Sequence, residues 1–387
     1  MWESVLAVYI KEMTEVFRDR RTMISMVIVP IVILPLLFTV MAKFMGARSK
    51  EAGNEARVIA VRSQLSEEFT TALRQAGLEP IVESDLRASV ENKQVAAGLD
   101  IDQTGAKEAI TVYTDNTREA SQIAGERVKG ALNALQNQRL RKRLQSAGLP
   151  AALASPLDIR GINVASQRKM AGFFTGSMVG YLMILLMFTA AMYPAIDMTA
   201  GEKERHTLEA LLSSGASRDG IMLGKILAAA TASFLTGILT LAGLMYSLHN
   251  ILPRAASAQV SGVNLLEPST IGLVLVSMVP IALLGASAML AIALFAKSYK
   301  EGQTYVTPLL MVVIFPAILG MLPGLELTPA LALIPIFNVS QLVKEIFLGS
   351  FSVAAFCVTL AANAVYALIA FCVAGVTFRR ESVLFRT

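Results

Sequence analysis

Two histidines, His206 and His249, and two cysteines, Cys357 and Cys372, are the full complement of imidazoles and thiols in a chain of 387 residues. A histidine-rich metal site or proton relay needs more, and no HExxH, GxSxG or CxxC spacing occurs. The cysteines fall on one expected helix, roughly 22 Å apart along its axis, too far for an intrachain disulfide. They read as small apolar positions facing lipid or neighbouring helices. Residues 220–225, GIMLGK, have the outline of a phosphate-binding loop. The run is one residue short between its glycines, and Ile226 stands where Ser or Thr would hold magnesium. The sequence therefore predicts no catalytic, metal-binding or cofactor-binding residues in this chain.

The elements that hold these residues belong in a bilayer. Hydrophobic residues make up 54% of the chain and charged residues 16%, with a mean hydropathy of +0.57; soluble domains carry roughly a quarter charged residues. The net charge of +5 comes without the aromatic-interleaved basic patch or zinc spacing of a nucleic-acid binder, so no nucleic-acid partner is expected. Stretches long enough to cross a hydrocarbon core of about 30 Å lie at 22–45, 171–197, 226–249, 271–296, 305–322 and 353–378. Lys11, Arg18, Arg20, Arg21, Lys203, Arg205, Arg218, Lys225, Lys297, Lys300, Arg379, Arg380 and Arg386 fall on one side, against Arg254 and Lys344 in the short loops of the other. The positive-inside rule then places both termini in the cytoplasm. The span interiors hold almost no ionisable residues, unlike pumps that couple ions for themselves, so the energy source is expected outside the chain.

The expected fold class is mainly α: a polytopic membrane protein with six transmembrane helices and an α/β extracytoplasmic domain between spans one and two. Residues 1–21 read as an interfacial amphipathic helix, with Trp2, Val5, Leu6, Tyr9, Ile10, Met13, Val16 and Phe17 on one face and Lys11, Glu12, Glu15, Arg18 and Asp19 opposite. Span one, 22–45, is too long for a cleaved signal and stays as an anchor. Within 46–170, strands are expected at 57–61, 80–82, 95–101 and 110–113, helices at 66–75 and 85–92, and a long helix at 117–147. Its basic cluster Arg139, Arg141, Lys142 and Arg143 is a solvated face or a contact for lipid headgroups. Spans two to six occupy 171–378, with a cytoplasmic loop at 198–225 and a segment at 323–352 that Pro323, Pro329 and Pro335 keep from forming a continuous helix. Short re-entrant helices in the outer leaflet are expected there. Residues 379–387 form a cytoplasmic tail. Gly172, Gly176 and Gly180 make a small-residue face on span two, for packing within the subunit or at a subunit or gating seam.

Residues 201–225 read GEKERHTLEALLSSGASRDGIMLGK. Thr199 and Glu202 have the spacing of a capping box, so a short amphipathic helix is expected, with Leu208, Leu211 and Leu212 on one side and Glu202, Lys203, Glu204 and Arg205 solvated. The ridge would enter a partner's groove or pack on the protein's own helix ends. Ser217 is expected to cap span three.

The run resembles the coupling region of type-2 ABC-transporter permeases. Gly201, Glu202, Lys203, Glu204, Thr207, Leu208, Glu209, Leu211, Leu212, Ser217, Arg218, Gly224 and Lys225 match the family's ordered pattern. His206 replaces a small residue or Asn, Gly215 a common Pro, and Gly220 a common Glu. The layout of the rest of the chain is most similar to NatB-type sodium-efflux permeases.

The resemblance implies a permease subunit of an ABC-type exporter in the cell membrane. It further implies a separate cytosolic ATPase carrying ATP and magnesium, a second permease copy or paralogue, and sodium as the substrate. Residues 201–218 would then form the ATPase-coupling site. Related permeases export drugs, peptides or lipids, and a mechanotransmitting or scaffold subunit with no transported substrate is a further alternative.

Overall fold

A computed structural model describes residues 2–102, 109–150, 153, 167–255, 267–322 and 324–384. Pro323 and Arg386 fall outside them, as do the side chains of His249 and Arg254. The chain forms two compact units, one of Met1–Thr39 with Asn163–Thr387 and one of Val40–Ile162.

The first helix, α1 (Trp2–Arg18), carries two apolar stripes rather than one. Val5, Val8 and Val16 are buried together with Glu12, whereas Trp2, Leu6, Ile10 and Phe17 are exposed on another arc. This corrects the single apolar face read from the sequence, which set Glu12 opposite it. Packing causes the split: at Gly224, an added Cβ would lie 2.9 Å from the Val8 Cβ, so a helix passes close beneath α1. A second helix, α2, covers Arg20–Glu55. Asp19 caps it, accepting from the N–H groups of Arg21 and Thr22 at 3.2 and 2.9 Å. The stretch Ile24–Ile33 is a π segment around Pro30, wider hydrogen bonding that tolerates a residue with no N–H.

In the α/β unit, the order is β1 (Val58–Val61), α3 (Glu67–Gln75), β2 (Glu79–Val82), α4 (Leu86–Glu91), β3 (Ala97–Asp102), β4 (Ala109–Thr114) and α5 (Glu119–Ser146). The sheet order is β2-β1-β3-β4. Strand β1 pairs parallel with β2 and β3, and β4 closes the edge antiparallel to β3. Being central, β1 is the continuous apolar run VIAV, as expected of a strand covered on both faces. Ile59, Val61, Leu73, Leu99, Ala124 and Val128 form the core. Within the basic cluster, Arg139 binds Glu68 at 3.0 Å and stands over the Phe69 ring, while Arg141, Lys142 and Arg143 are exposed.

The other unit continues with α6 (Gln167–Ile196), prolonged by a π turn (Asp197–Gly201) and a last turn (Glu202–Glu204). There follow α7 (Thr207–Ser213), α8 (Arg218–Ala255), α9 (Pro268–Ala293), α10 (Tyr299–Leu319), α11 (Phe337–Leu348), α12 (Val353–Arg379) and α13 (Glu381–Leu384). Among the described residues, six helices are long and apolar enough to cross a membrane: α2, α6, α8, α9, α10 and α12. Met183, Met187 and Phe188 of α6 are buried with Ile281, Met289 and Leu290 of α9. Helix α11 is too short to span. It starts after Ile336 at φ 72° and stops at Gly349, also left-handed at φ 72°. Gly172, Gly176 and Gly180 face α11 of the same chain: a Cβ at Gly176 would lie 2.7 Å from the Lys344 Cα, and one at Gly180 would lie 3.0 Å from the Ser340 carbonyl. The small-residue face is therefore an intrachain seam, where backbones approach because no side chain intervenes.

Candidate functional site

The loop 201–225 is built differently from the simple capped helix its sequence suggests. Thr199 does not cap: its hydroxyl donates to the Ala195 carbonyl at 2.6 Å and the chain stays helical through Glu204. Helix propagation wins because the π turn leaves no free N–H group for a capping oxygen to take. The break comes at His206, whose φ of 57° is left-handed, a conformation that Gly adopts freely and Asn and His more readily than other residues. Helix α7 starts at the next residue, and the Thr207 hydroxyl donates back to the Glu202 carbonyl at 3.3 Å. Gly215, at φ 76°, makes the second turn. Ser217 accepts from the Gly220 N–H at 3.2 Å and starts α8. Residues 220–225 are thus helical, which excludes a phosphate-cradling loop there.

At the centre lies a buried ion network that joins three elements. The Lys225 ammonium, fully buried, donates to Glu12 Oε1 of α1 at 2.7 Å, to Glu202 Oε2 at 2.7 Å and to the Met198 carbonyl at 2.9 Å. Lys11 reaches Glu202 Oε1 at 2.5 Å and Glu12 Oε1 at 3.1 Å. Two cations and two carboxylates balance, which lets the charges stay inside. Burial raises the Glu12 carboxyl above its ordinary range, with Lys225 pulling the other way. Burial would lower Lys11, but its hydrogen bond to Glu202 and the charges of both carboxylates hold it above the usual lysine value. Glu202, expected to be solvated, is 3% exposed: the continuous helix turns it inward onto Lys225. Lys11 and Glu12 lie outside the site read from the sequence, and Lys225 enters there only as the last residue of the family pattern. The signal for Glu12 is its place as a lone charge on the stripe Val5, Val8, Glu12, Val16, which demands a buried partner.

The neighbouring residues also have internal duties. Lys203, half-buried rather than solvated, donates to the carbonyls of Leu294, Ala296 and Val383. Glu204 accepts from the Tyr299 N–H at 2.7 Å, and Arg205 pairs with Asp197 at 3.0 Å. At Gly201 a Cβ would lie 2.8 Å from Asp197 Oδ1. Arg218 pairs with Glu381 at 3.2 Å, and Asp219 takes a two-pronged contact from Arg379 at 3.0 and 2.6 Å.

In α7, Leu208 is buried in the chain's own core, and Leu211 and Leu212 are half-buried against it. Glu209 is exposed. Of the leucine ridge, the first residue therefore packs inward and the other two lie at the margin. Beside them, a groove of about 450 Å³ runs between α1 (Ser4, Ala7, Lys11) and the residues Leu211, Ser214 and Ala216.

A second polar cluster lies between α11 and α12. Asn363 Nδ2 donates to Asn338 Oδ1 at 3.0 Å, and Asn338 Nδ2 donates to the Ala332 carbonyl at 2.8 Å. One turn along each helix are Gln341 and Thr359, both fully buried. The amide of Gln341, the Thr359 hydroxyl and Asn363 Oδ1 have no hydrogen-bond partner. Among the described residues, no group of His, Cys, Asp and Glu is arranged to hold a metal.

Six membrane-length helices, with the charged loop tied to α1 and α8, define a polytopic membrane protein. The model of the ABC-2 family of transporter proteins matches residues 20–376, and the chain belongs to that family. One relative, the ABC transporter permease protein NatB of Bacillus subtilis (strain 168), is 25% identical over 381 residues, covering 97% of each chain. No solved structure matches. Membership of the family carries with it an ATPase partner.

Proposed function

We propose that this chain is the membrane-spanning subunit of an exporter in the plasma membrane, with both termini cytoplasmic. It works beside a second permease copy or paralogue, and ATP and magnesium are bound by a separate cytosolic ATPase. The observation that carries this reading is the Lys225 ammonium held between Glu12 and Glu202. Through it, the loop that bears α7 is fixed to the interfacial helix and to the foot of α8, and a push on α7 displaces both. Leu211, Leu212 and the groove beside α1 offer the ATPase an apolar foothold, and Glu209 is exposed on the same helix.

For the substrate, the reading is sodium. The unpartnered oxygens of Gln341, Thr359 and Asn363 support it, since neutral amide and hydroxyl oxygens replace the water around a desolvated monovalent ion. The second reading is an amphiphilic drug, peptide or lipid, supported by an apolar cleft of about 270 Å³ among Leu223, Ile226, Leu227, Val279, Leu368 and Phe371.

Proteoliposomes holding the permease and its ATPase test both. Sodium efflux that requires ATP and is lost in Gln341→Ala upholds the first. ATP-driven movement of hydrophobic compounds without sodium efflux replaces it with the second. Failure to stimulate or bind any ATPase removes the exporter reading altogether.

A further inference from the structure

The α/β unit contains a cleft of about 840 Å³ where the end of α3, the start of β2 and the flank of α5 meet. Arg57, Arg74 and Arg127 line it, together with Gln75, Glu79 and Ile81. Gly77, at φ 76°, turns the chain from α3 into β2, and the Glu79 N–H bonds the Arg57 carbonyl at 2.6 Å. The turn and this bond bring Arg57 and the segment 74–81 to one opening, and the packing of α5 on α3 adds Arg127.

Four other arginines of the unit are committed. Arg62 holds Asp100, Arg87 holds Glu91, Arg118 holds Glu55 and Arg139 holds Glu68. Among the described residues, the guanidinium groups of Arg57, Arg74 and Arg127 hold no carboxylate and donate no hydrogen bond. Three like charges at one cleft repel, and Glu79, the single carboxylate among its described lining residues, leaves them a net charge of +2. Guanidinium groups present paired N–H donors whose spacing matches phosphoryl and carboxylate oxygens. The cleft also falls in the range of about 300–1,000 Å³ typical of small-ligand sites.

An acidic peptide laid along the edge strand β2 is the rival occupant. The Glu79 and Glu83 N–H groups bond the Arg57 and Val61 carbonyls of the β1 side, so the outer edge belongs to Pro80 and Val82. Pro80 has no N–H to offer an added strand, and main-chain pairing is what gives such a peptide its affinity. The edge therefore favours a compact anion.

We propose that this cleft binds a phosphoryl-bearing anion, free in solution or carried on a lipid headgroup, engaged by Arg57, Arg74 and Arg127. The proposal is independent of the transport reading.

The test uses the full-length protein purified in uncharged detergent, with calorimetric titration of two probes, inorganic pyrophosphate and short-chain phosphatidic acid. Saturable binding near one per chain is expected for at least one probe. It should weaken at least ten-fold in R74Q/R127Q and stay unchanged in R87Q, whose arginine lies outside the cleft. R74K/R127K should keep part of the affinity, because lysine retains the charge and loses the fork; this variant guards against a merely misfolded glutamine form. Pyrophosphate binding identifies a free anion, and binding of phosphatidic acid alone identifies a headgroup. Absence of saturable binding for both probes, or equal loss in R87Q and R74Q/R127Q, overturns the proposal.

Discussion

Lys225 and Glu202 meet at 2.7 Å with neither side chain more than 3% exposed. They lie 23 positions apart in sequence, at the foot of α8 and at the end of the helix that continues α6. Any movement of the intervening segment is therefore felt at both helix ends.

Removing the lysine alone should be costly. Lys225→Met leaves Glu12 and Glu202 buried with only the half-exposed Lys11 to balance them, and breaking a buried pair in this way costs about 3–5 kcal/mol. The triple variant Glu12→Gln, Glu202→Gln, Lys225→Met carries no uncompensated buried carboxylate and should recover most of the loss. Thermal unfolding in detergent checks both; a triple variant no more stable than Lys225→Met contradicts the network's role.

The contact with the ATPase should separate the leucines of α7. Leu212→Asp should leave the permease folded and abolish ATPase association, because burying an unpaired carboxylate in a contact costs several kcal/mol. Leu208→Asp should instead destabilise the permease itself, since Leu208 is 3% exposed. Glu209→Ala should keep association while weakening the link between hydrolysis and transport. Co-purification at matched membrane levels decides, and wild-type association by Leu212→Asp would exclude α7 as the docking element.

The pH response of Glu12 has a definite sign. A carboxyl raised in the folded state favours folding most below its unfolded value of about 4.3, and that contribution is lost as pH rises through the folded value. Gln at this position does not titrate. The stability of wild type relative to Glu12→Gln should therefore decline as the pH is raised above about 4.3. A difference that stays constant with pH would show that Glu12 does not titrate differently in the fold.

The seam between α6 and α11 should tolerate no bulk. At Gly176 even a Cβ would lie 2.7 Å from the Lys344 Cα, so Gly176→Leu should displace α11 and lower the melting temperature sharply, with Gly176→Ala intermediate. Because the seam is internal, neither variant should selectively remove ATPase binding. Selective loss of binding with unchanged melting would indicate an intersubunit seam.

The charge bias of the loops predicts which side each faces. A cysteine at Gln136 should react with an impermeant reagent in intact cells, and one at Ser214 only after permeabilisation. Labelling of both without permeabilisation would overturn the expected topology.

Six apolar stretches, the proline-broken run before α12 and the β-α-β alternation in the α/β unit are legible in the sequence, because hydrophobic length and periodicity are local properties. The ordered run from Gly201 to Lys225 likewise discloses the family. Tertiary structure alone decided where the charges and the small residues go. Glu202 reads as solvated because a local pattern cannot show that the helix from α6 persists past Thr199 and turns this side chain onto Lys225. Glu12 reads as polar-face because its partner lies 213 positions away. Gly176 advertises a close approach, and only the packed fold names α11 as the helix that makes it. Arg57, Arg74 and Arg127 look like ordinary surface charges until the fold gathers them at one cleft, unpaired with any described carboxylate, because repulsion and pairing depend on distance in space, which sequence separation does not encode.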